Sequence, residues 1–236
     1  MPSNTDTHKL IRGLFGSAPR SPEHVGAGDQ PQHRPVVTVS RDHGSGGEAI
    51  AQALADHLGV HCFDKDLLDA IVREARVDRR LLERLDEHAG GLLDDWACSL
   101  LLGEHLGRED YHRYLIRVLL SITVGGGVVV GRGANLVLAR RGAFRLRVCG
   151  SGEVCARRLA EQFGLNPAEA CRQVLQVNQE RAGFIRTHFR RNINNPTDYD
   201  LVVNTDHIEP GQTVEIVLPA MRRAGFCAPQ RAPAGA

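Results

Sequence analysis

The chain runs Val36-Val37-Thr38-Val39-Ser40-Arg41-Asp42-His43-Gly44-Ser45-Gly46-Gly47-Glu48 and then turns helical, with apolar residues at Ala49, Ile50, Ala53, Leu54 and Leu58. A β-branched run that stops at a glycine turn and continues as a helix is how a parallel α/β protein builds a phosphate cradle. Backbone N–H groups at the helix start face the anion, and the helix dipole adds partial positive charge. Glycines let the backbone approach a phosphate closely. The common triphosphate loop reads G-x-x-x-x-G-K-[ST]; here Gly47 stands at the lysine and Glu48 or Ala49 at the hydroxyl.

Outward from this stretch the same alternation repeats. Four further apolar runs suit strands buried on both faces: Val60–Phe63, Gly127–Val130, Phe144–Cys149 and Leu201–Asn204. Helical patterns lie between them, over 46–58, 64–74, 78–88, 92–106, 109–122, 134–140, 152–163 and 167–190, with a last one at 213–224. Strand–helix alternation predicts a parallel sheet with right-handed crossovers, whose ligands bind at the carboxyl ends of the strands. The connections 64–126 and 150–200 are longer than a crossover requires, as in a substrate-binding lobe and a closing lid.

Composition narrows the class. The 236 residues are 42% hydrophobic with a net charge of +1, which fits one globular domain and gives no bulk attraction to nucleic acid. Residues 1–34 and 227–236 read as disordered tails around a domain at 35–226. The six cysteines include no C-x-x-C pair, so they read as reduced thiols of a cytoplasmic protein rather than zinc ligands, and no metal site is expected from the residues. No apolar run reaches the roughly 18–20 residues of a membrane span. Apolar stripes in the first insertion suit lobe packing and equally a homodimer. Trp96, Tyr111 and Tyr114 in that insertion read as packing.

Several side chains fall at strand ends. Arg132, between Gly131 and Gly133 after the third strand, is placed to grip a phosphate bidentately. Asp64 after the second strand is equally a helix N-cap and a substrate-orienting carboxylate; Lys65, in the same turn, is a candidate for a phosphate or ribose. Residues 151–197 carry Arg157, Arg158, Arg172, Arg181, Arg186, Arg190 and Arg191. Much of this is a solvated helix face. Phosphoryl transfer nonetheless needs cations around the transferred group, and Arg157, Arg158 and Arg181 are favoured for that part. His43 reads as a polar turn residue.

In this order and spacing, Val37–Arg41 running into Gly44–Gly47, Phe63-Asp64-Lys65, Gly131-Arg132-Gly133-Ala134-Asn135, Arg181 on its long helix, and Tyr199–Thr205 resemble the cytidylate kinase-like family, within the P-loop nucleoside monophosphate kinases, over roughly 35–225. The resemblance implies a three-layer, P-loop NTPase-type five-stranded parallel sheet flanked by helices. It also implies a helical monophosphate-binding insertion at about 64–126 and a helical lid at about 151–197. The implied reaction moves the γ-phosphoryl of ATP, with Mg²⁺, to CMP or a similar monophosphate. By it Gly44, Ser45, Gly46 and Gly47 hold the donor phosphates, Arg132 and Asp64 the acceptor, and Arg157, Arg158 and Arg181 neutralise charge. Gly47 and Glu48 depart from the lysine and hydroxyl of true cytidylate kinases, and Asn178 stands where an aspartate is expected. Either Arg41 or a lid arginine then takes the lysine's part, or catalysis is weak, or the protein is a non-catalytic nucleotide-binding module.

Overall fold

The computed structural model describes residues 34–89 and 109–226. The tails, apart from Arg34, and the helix expected over 92–106 with Trp96 lie outside the described residues.

Five strands form one sheet in the order β2-β3-β1-β4-β5: β1 Val36–Arg41, β2 Cys62–Phe63, β3 Gly127–Val130, β4 Ala143–Cys149 and β5 Leu201–Asn204. β4 runs parallel to β1, with Val39 opposite Leu146, and parallel to β5, with Val148 opposite Val203. The Gly131 N–H donates to the Val39 carbonyl at 3.0 Å and the Val128 N–H to that of His61 at 2.9 Å, seating β3 between its neighbours. All five strands match the sequence expectation; β2 is shorter than 60–63. With β1 at its centre, the sheet has the parallel α/β arrangement that the resemblance implies, and the glycine turn falls at the carboxyl end of its middle strand.

The described residues divide into two compact units. The larger holds 35–62 and 128 onward. In it α1 (Gly47–Leu58) and α8 (Pro210–Arg223) cover one side of the sheet. Val37, Val39, Ile50, Leu54, Val130, Leu146, Val148, Val214, Val217 and Met221 make its core. The short α5 (Ala134–Val137) stops before the expected Arg140, because Leu138 leaves helical geometry and the chain turns through Gly142 at φ 68° into β4. α8 starts three residues before the expected Thr213: Pro210 sits in its first turn, and the Glu209 N–H donates to the Gln212 side chain at 3.0 Å. α6 (Gly152–Phe163) and the 23-residue α7 (Pro167–Phe189) pack on each other through Cys155, Ala156, Leu159, Ala170 and Val174. Ser151 and Asn166 cap them.

The smaller unit, within 63–127, is helical: α2 (Lys65–Val77), α3 (Arg79–Ala89) and α4 (Glu109–Gly125). They bury Leu68, Ile71, Val72, Leu81, Leu85, Leu115, Ile116, Leu119 and Leu120. The Tyr111 hydroxyl donates to the Asp69 carboxylate, and the Arg117 guanidinium lies 6.0 Å from the centre of the Tyr114 ring. Both tyrosines therefore take part in the unit's own packing. Among the described residues, Cys62, Cys149, Cys155 and Cys171 form no disulfide. Among the described residues, no helix is long and apolar enough to cross a membrane.

Candidate functional site

The turn after β1 is built for backbone exposure. Gly44 and Gly46 take φ of 81° and 78°, the left-handed region, and α1 begins at Gly47 with no side chain capping its first N–H groups. A Cβ on Gly44 would stand 2.5 Å from the Cys155 carbonyl oxygen, and one on Gly46 2.8 Å from the Pro210 ring. Both positions thus need glycine for φ and for space. The Ser45 side chain is fully buried and takes no outward position; its hydroxyl donates to the Asp42 carbonyl at 2.9 Å. An uncapped helix start behind two left-handed glycines is an anion seat.

The cation at this seat comes from the other end of the loop. Arg41, nine-tenths buried, passes its side chain over Gly47: a Cβ there would stand 2.8 Å from Arg41 Cγ and closer still to its Cβ. A Cβ on Gly131 would meet Arg41 Nη1 at 2.6 Å, so two glycines make room for one guanidinium. Arg41 Nε donates to Glu48 Oε1 at 2.9 Å, and Arg181 Nη2 donates to the same oxygen at 3.2 Å. Arg181 Nη1 also donates to the Arg41 carbonyl at 3.0 Å. Burial pushes the Glu48 carboxyl up, but the two guanidiniums outweigh it and hold the group below its ordinary value. Burial and then Arg41 lower Arg181 to about 10, still cationic at neutral pH. Glu48 thus occupies the place of an anion between two arginines.

α7 closes over the loop through a second contact. The His43 N–H donates to Asn178 Oδ1 at 2.8 Å, one turn of helix before Arg181. Burial, followed by repulsion from Arg181, lowers the His43 pKa, which keeps its imidazole neutral at neutral pH.

Beneath the loop, Thr205 at the end of β5 is fully buried, with its hydroxyl 2.9 Å from the Ser45 carbonyl. Arg158 grips it from α6, Nη1 to the hydroxyl at 3.1 Å and Nη2 to the Thr205 carbonyl at 2.6 Å. Arg158 is therefore engaged as a strut under the loop, whereas Arg157 is exposed on α6. Arg147, buried in β4, pairs with Asp42 at 2.6 Å and donates to Asn194 Oδ1 at 3.2 Å. The Tyr199 hydroxyl lies 2.7 Å from the Ile193 carbonyl and 3.3 Å from Ser40 Oγ.

The Gly131-Arg132-Gly133 turn faces α7. Arg132 adopts φ 54°, unusual for a residue with a Cβ, and its guanidinium lies 5.1 Å from the Phe184 ring centre. Gly133, at φ 71°, gives its side-chain space to the Phe189 ring. In the helical unit Asp64 caps α2, accepting from the Leu67 N–H at 2.8 Å, and Lys65 is exposed beside it.

The structure thus gathers Arg41, Gly44, Ser45, Gly46, Gly47, Glu48, Asn178 and Arg181 at one turn. Sequence reasoning left out Thr205 as a loop support and Arg147 as the partner of Asp42. An arginine inside the β4 pattern Phe144-Arg145-Leu146-Arg147-Val148, at a position its neighbours bury, was the available signal for the second.

A parallel sheet of this order, with a glycine turn leading straight into a helix at its central strand, is the framework of a P-loop-type kinase. The model of the cytidylate kinase-like family matches residues 36–207, and the chain belongs to that family. A cytidylate kinase of Methanothrix thermoacetophila is 26% identical over 188 residues, 79% of this chain and 98% of the relative. The crystal structure of an uncharacterized protein from Eubacterium ventriosum superposes with a TM-score of 0.67 at 15% identity, covering 80% of this chain and 99% of that one. The latter shows the fold; the family makes the chain kinase-like.

Proposed function

We propose that this protein transfers the γ-phosphoryl of ATP to CMP or a related nucleoside monophosphate. The observation that carries the reading is the exchange at the two ends of the loop: Arg41 fills the space beside Gly47, so a cation stays at the seat although position 47 has no side chain. Phosphoryl transfer relies on positioning and charge neutralisation rather than covalent chemistry, and those are what this loop supplies.

In this reading the N–H groups of Gly44–Gly47 hold the donor phosphates. Arg41 and Arg181 turn from Glu48 to the phosphate oxygens, and Arg158, through Thr205, keeps the loop in shape. Arg157 reaches the transferred group from the exposed face of α6. Arg132 binds the acceptor phosphate; Asp64 and Lys65, on the helical unit, keep the substrate-binding role expected of them from the sequence. The uncapped α1 start and the two guanidiniums fit a polyphosphate. Among the described residues no group of three or more His, Cys, Asp or Glu side chains could hold a metal ion. Mg²⁺ would be held through the nucleotide's own phosphates, with one or two carboxylates of the chain at most, and would offset the phosphate charge.

The test is ADP release with ATP and Mg²⁺ across CMP, dCMP, UMP, AMP and GMP. Turnover with one monophosphate, falling on the order of a hundredfold or more in Arg41→Ala and in Arg132→Ala, is the expected result. Nucleotide binding by calorimetry with no turnover on any acceptor would replace it with a non-catalytic nucleotide-binding module, a role that the Glu48 bridge would also serve.

A further inference from the structure

The last two turns of α7 carry a second basic site, on a face away from the loop. Ala182, Arg186 and Arg190 are spaced by four and form one row along the helix. Ala182 lies about 100° around the helix from Arg181, and Arg186 about 140°. At Arg190 the chain reverses, and Arg191, Asn192 and Ile193 return to face the row. Together these six residues, of which Arg186, Arg190, Arg191 and Asn192 are exposed, line an open cleft of about 630 Å³.

Three features make this cleft more than a basic helix end. It holds three arginines and no carboxylate among its lining residues; Asp198 Oδ1 lies 3.9 Å from Arg191 Nη1. Like charges four apart on a helix repel, and a bound anion would relieve that repulsion. Second, Arg190 caps the helix at φ 53°, a left-handed position that ordinarily takes glycine. A guanidinium kept there at conformational cost points to a use for the side chain. Third, the returning wall is braced: the Ile193 carbonyl accepts from Tyr199 at 2.7 Å, and Asn194 accepts from the buried Arg147 at 3.2 Å.

We infer that this cleft binds a phosphate-bearing small molecule, separately from the phosphate loop. Arg186, Arg190 and Arg191 grip the phosphate oxygens, since guanidinium forks match them bidentately. Asn192 offers its side-chain N–H₂, its Oδ1 already accepting from the Asn194 N–H at 3.0 Å, and Ala182 and Ile193 give an apolar surface for the rest of the molecule. The volume is within the range of small-molecule sites and exceeds what a lone phosphate ion needs. This inference does not depend on the kinase reading.

The test is calorimetry on the full chain at fixed ionic strength, with pyrophosphate, CMP and AMP as probes and sulfate as control. Arg41→Gln with Arg181→Gln, which removes both loop cations, is the background. The expected result is saturable binding that survives in this background and weakens at least tenfold when Arg186→Gln and Arg190→Gln are added. Tighter binding of a nucleotide than of pyrophosphate would identify a nucleotide ligand; equal binding would identify the phosphate group as sufficient. Arg190→Gly is the second variant, because glycine suits the left-handed cap. It is expected to raise Tm while weakening the probe, which a purely structural arginine would not do. Affinity unchanged in both variants, or binding no stronger than that of sulfate, would overturn the inference.

Discussion

Gly47 is small because Arg41 is not: a Cβ at position 47 would stand 2.8 Å from Arg41 Cγ, inside van der Waals contact. A lysine placed at 47 therefore collides with the Arg41 side chain. Gly47→Lys alone is expected to destabilise the fold by about 1–3 kcal/mol, the usual range for overpacking, with no gain in turnover. Arg41→Gly removes the obstruction and the cation together. The double variant Arg41→Gly with Gly47→Lys is expected to be more stable than the sum of the singles, with a coupling of about 0.5–3 kcal/mol. It should also recover at least tenfold in ADP release over Arg41→Gly. Denaturant titration and the coupled assay on the four proteins check both; strict additivity would show that the two positions do not exchange roles.

Glu48 bridges Arg41 and Arg181 while its own side chain is about half exposed. Its carboxyl is held below the ordinary value in the folded protein, so its contribution is present above about pH 4.5 and is lost as pH falls through the depressed value. Glu48→Gln keeps the shape and removes the charge. At pH 7 and low salt it is expected to cost roughly 0.5–1 kcal/mol, less at high salt, because solvent screens the exposed pair. As pH falls from about 4.5 through the depressed value, the gap between variant and parent should narrow and close. Chemical denaturation against pH reads the difference; a gap that does not narrow with acidification would assign the loss to something other than the ion pairs.

Most of the fold could be read from the chain because its central strands are buried on both faces and its connections follow glycine or proline signals. β1 and β3 are buried along their whole length, whereas β5, expected to be buried on both faces, lies at the sheet edge and leaves Val202 and Asn204 exposed. β2 is cut to two residues because pairing, not apolarity, decides where a strand begins. The site was half legible. Gly44 and Gly46 announce the loop, and Arg181 lies on a helix that must fold back on it. That Arg41 bends over Gly47, that Arg158 is spent on Thr205, and that Glu48 faces two cations depend on side-chain directions, which spacing along the chain does not encode.

Thr205 carries the contact between β5 and the loop. Thr205→Val keeps the volume but leaves the Ser45 carbonyl and Arg158 Nη1 without their partner in a buried place. Leaving such groups unsatisfied costs about 1–3 kcal/mol, and Tm is expected to fall by several degrees, at roughly 2–4 °C per kcal/mol for a chain of this size. Because Ser45 sits inside the loop, nucleotide affinity is expected to fall as well. Thr205→Ser retains the hydroxyl and is expected to lie close to the parent in both measurements. A valine variant that matches the serine variant would show that the hydroxyl supports neither the fold nor the loop.

Gly133 meets two separate demands, and they can be measured apart. Its φ of 71° disfavours any Cβ by about 1–2 kcal/mol, and the Phe189 ring occupies the space that the Cβ would take. Gly133→Ala is therefore expected to cost more than backbone strain alone, about 3 kcal/mol in all. Phe189→Ala opens the space and carries its own packing loss. In the combined variant the collision is gone while the strain remains, so Gly133→Ala should cost only about 1–2 kcal/mol when introduced into the Phe189→Ala background. Thermal denaturation of the four proteins gives this directly. An equal cost of the alanine in both backgrounds would mean that the ring does not press on Gly133, and that conformation alone requires glycine beside Arg132.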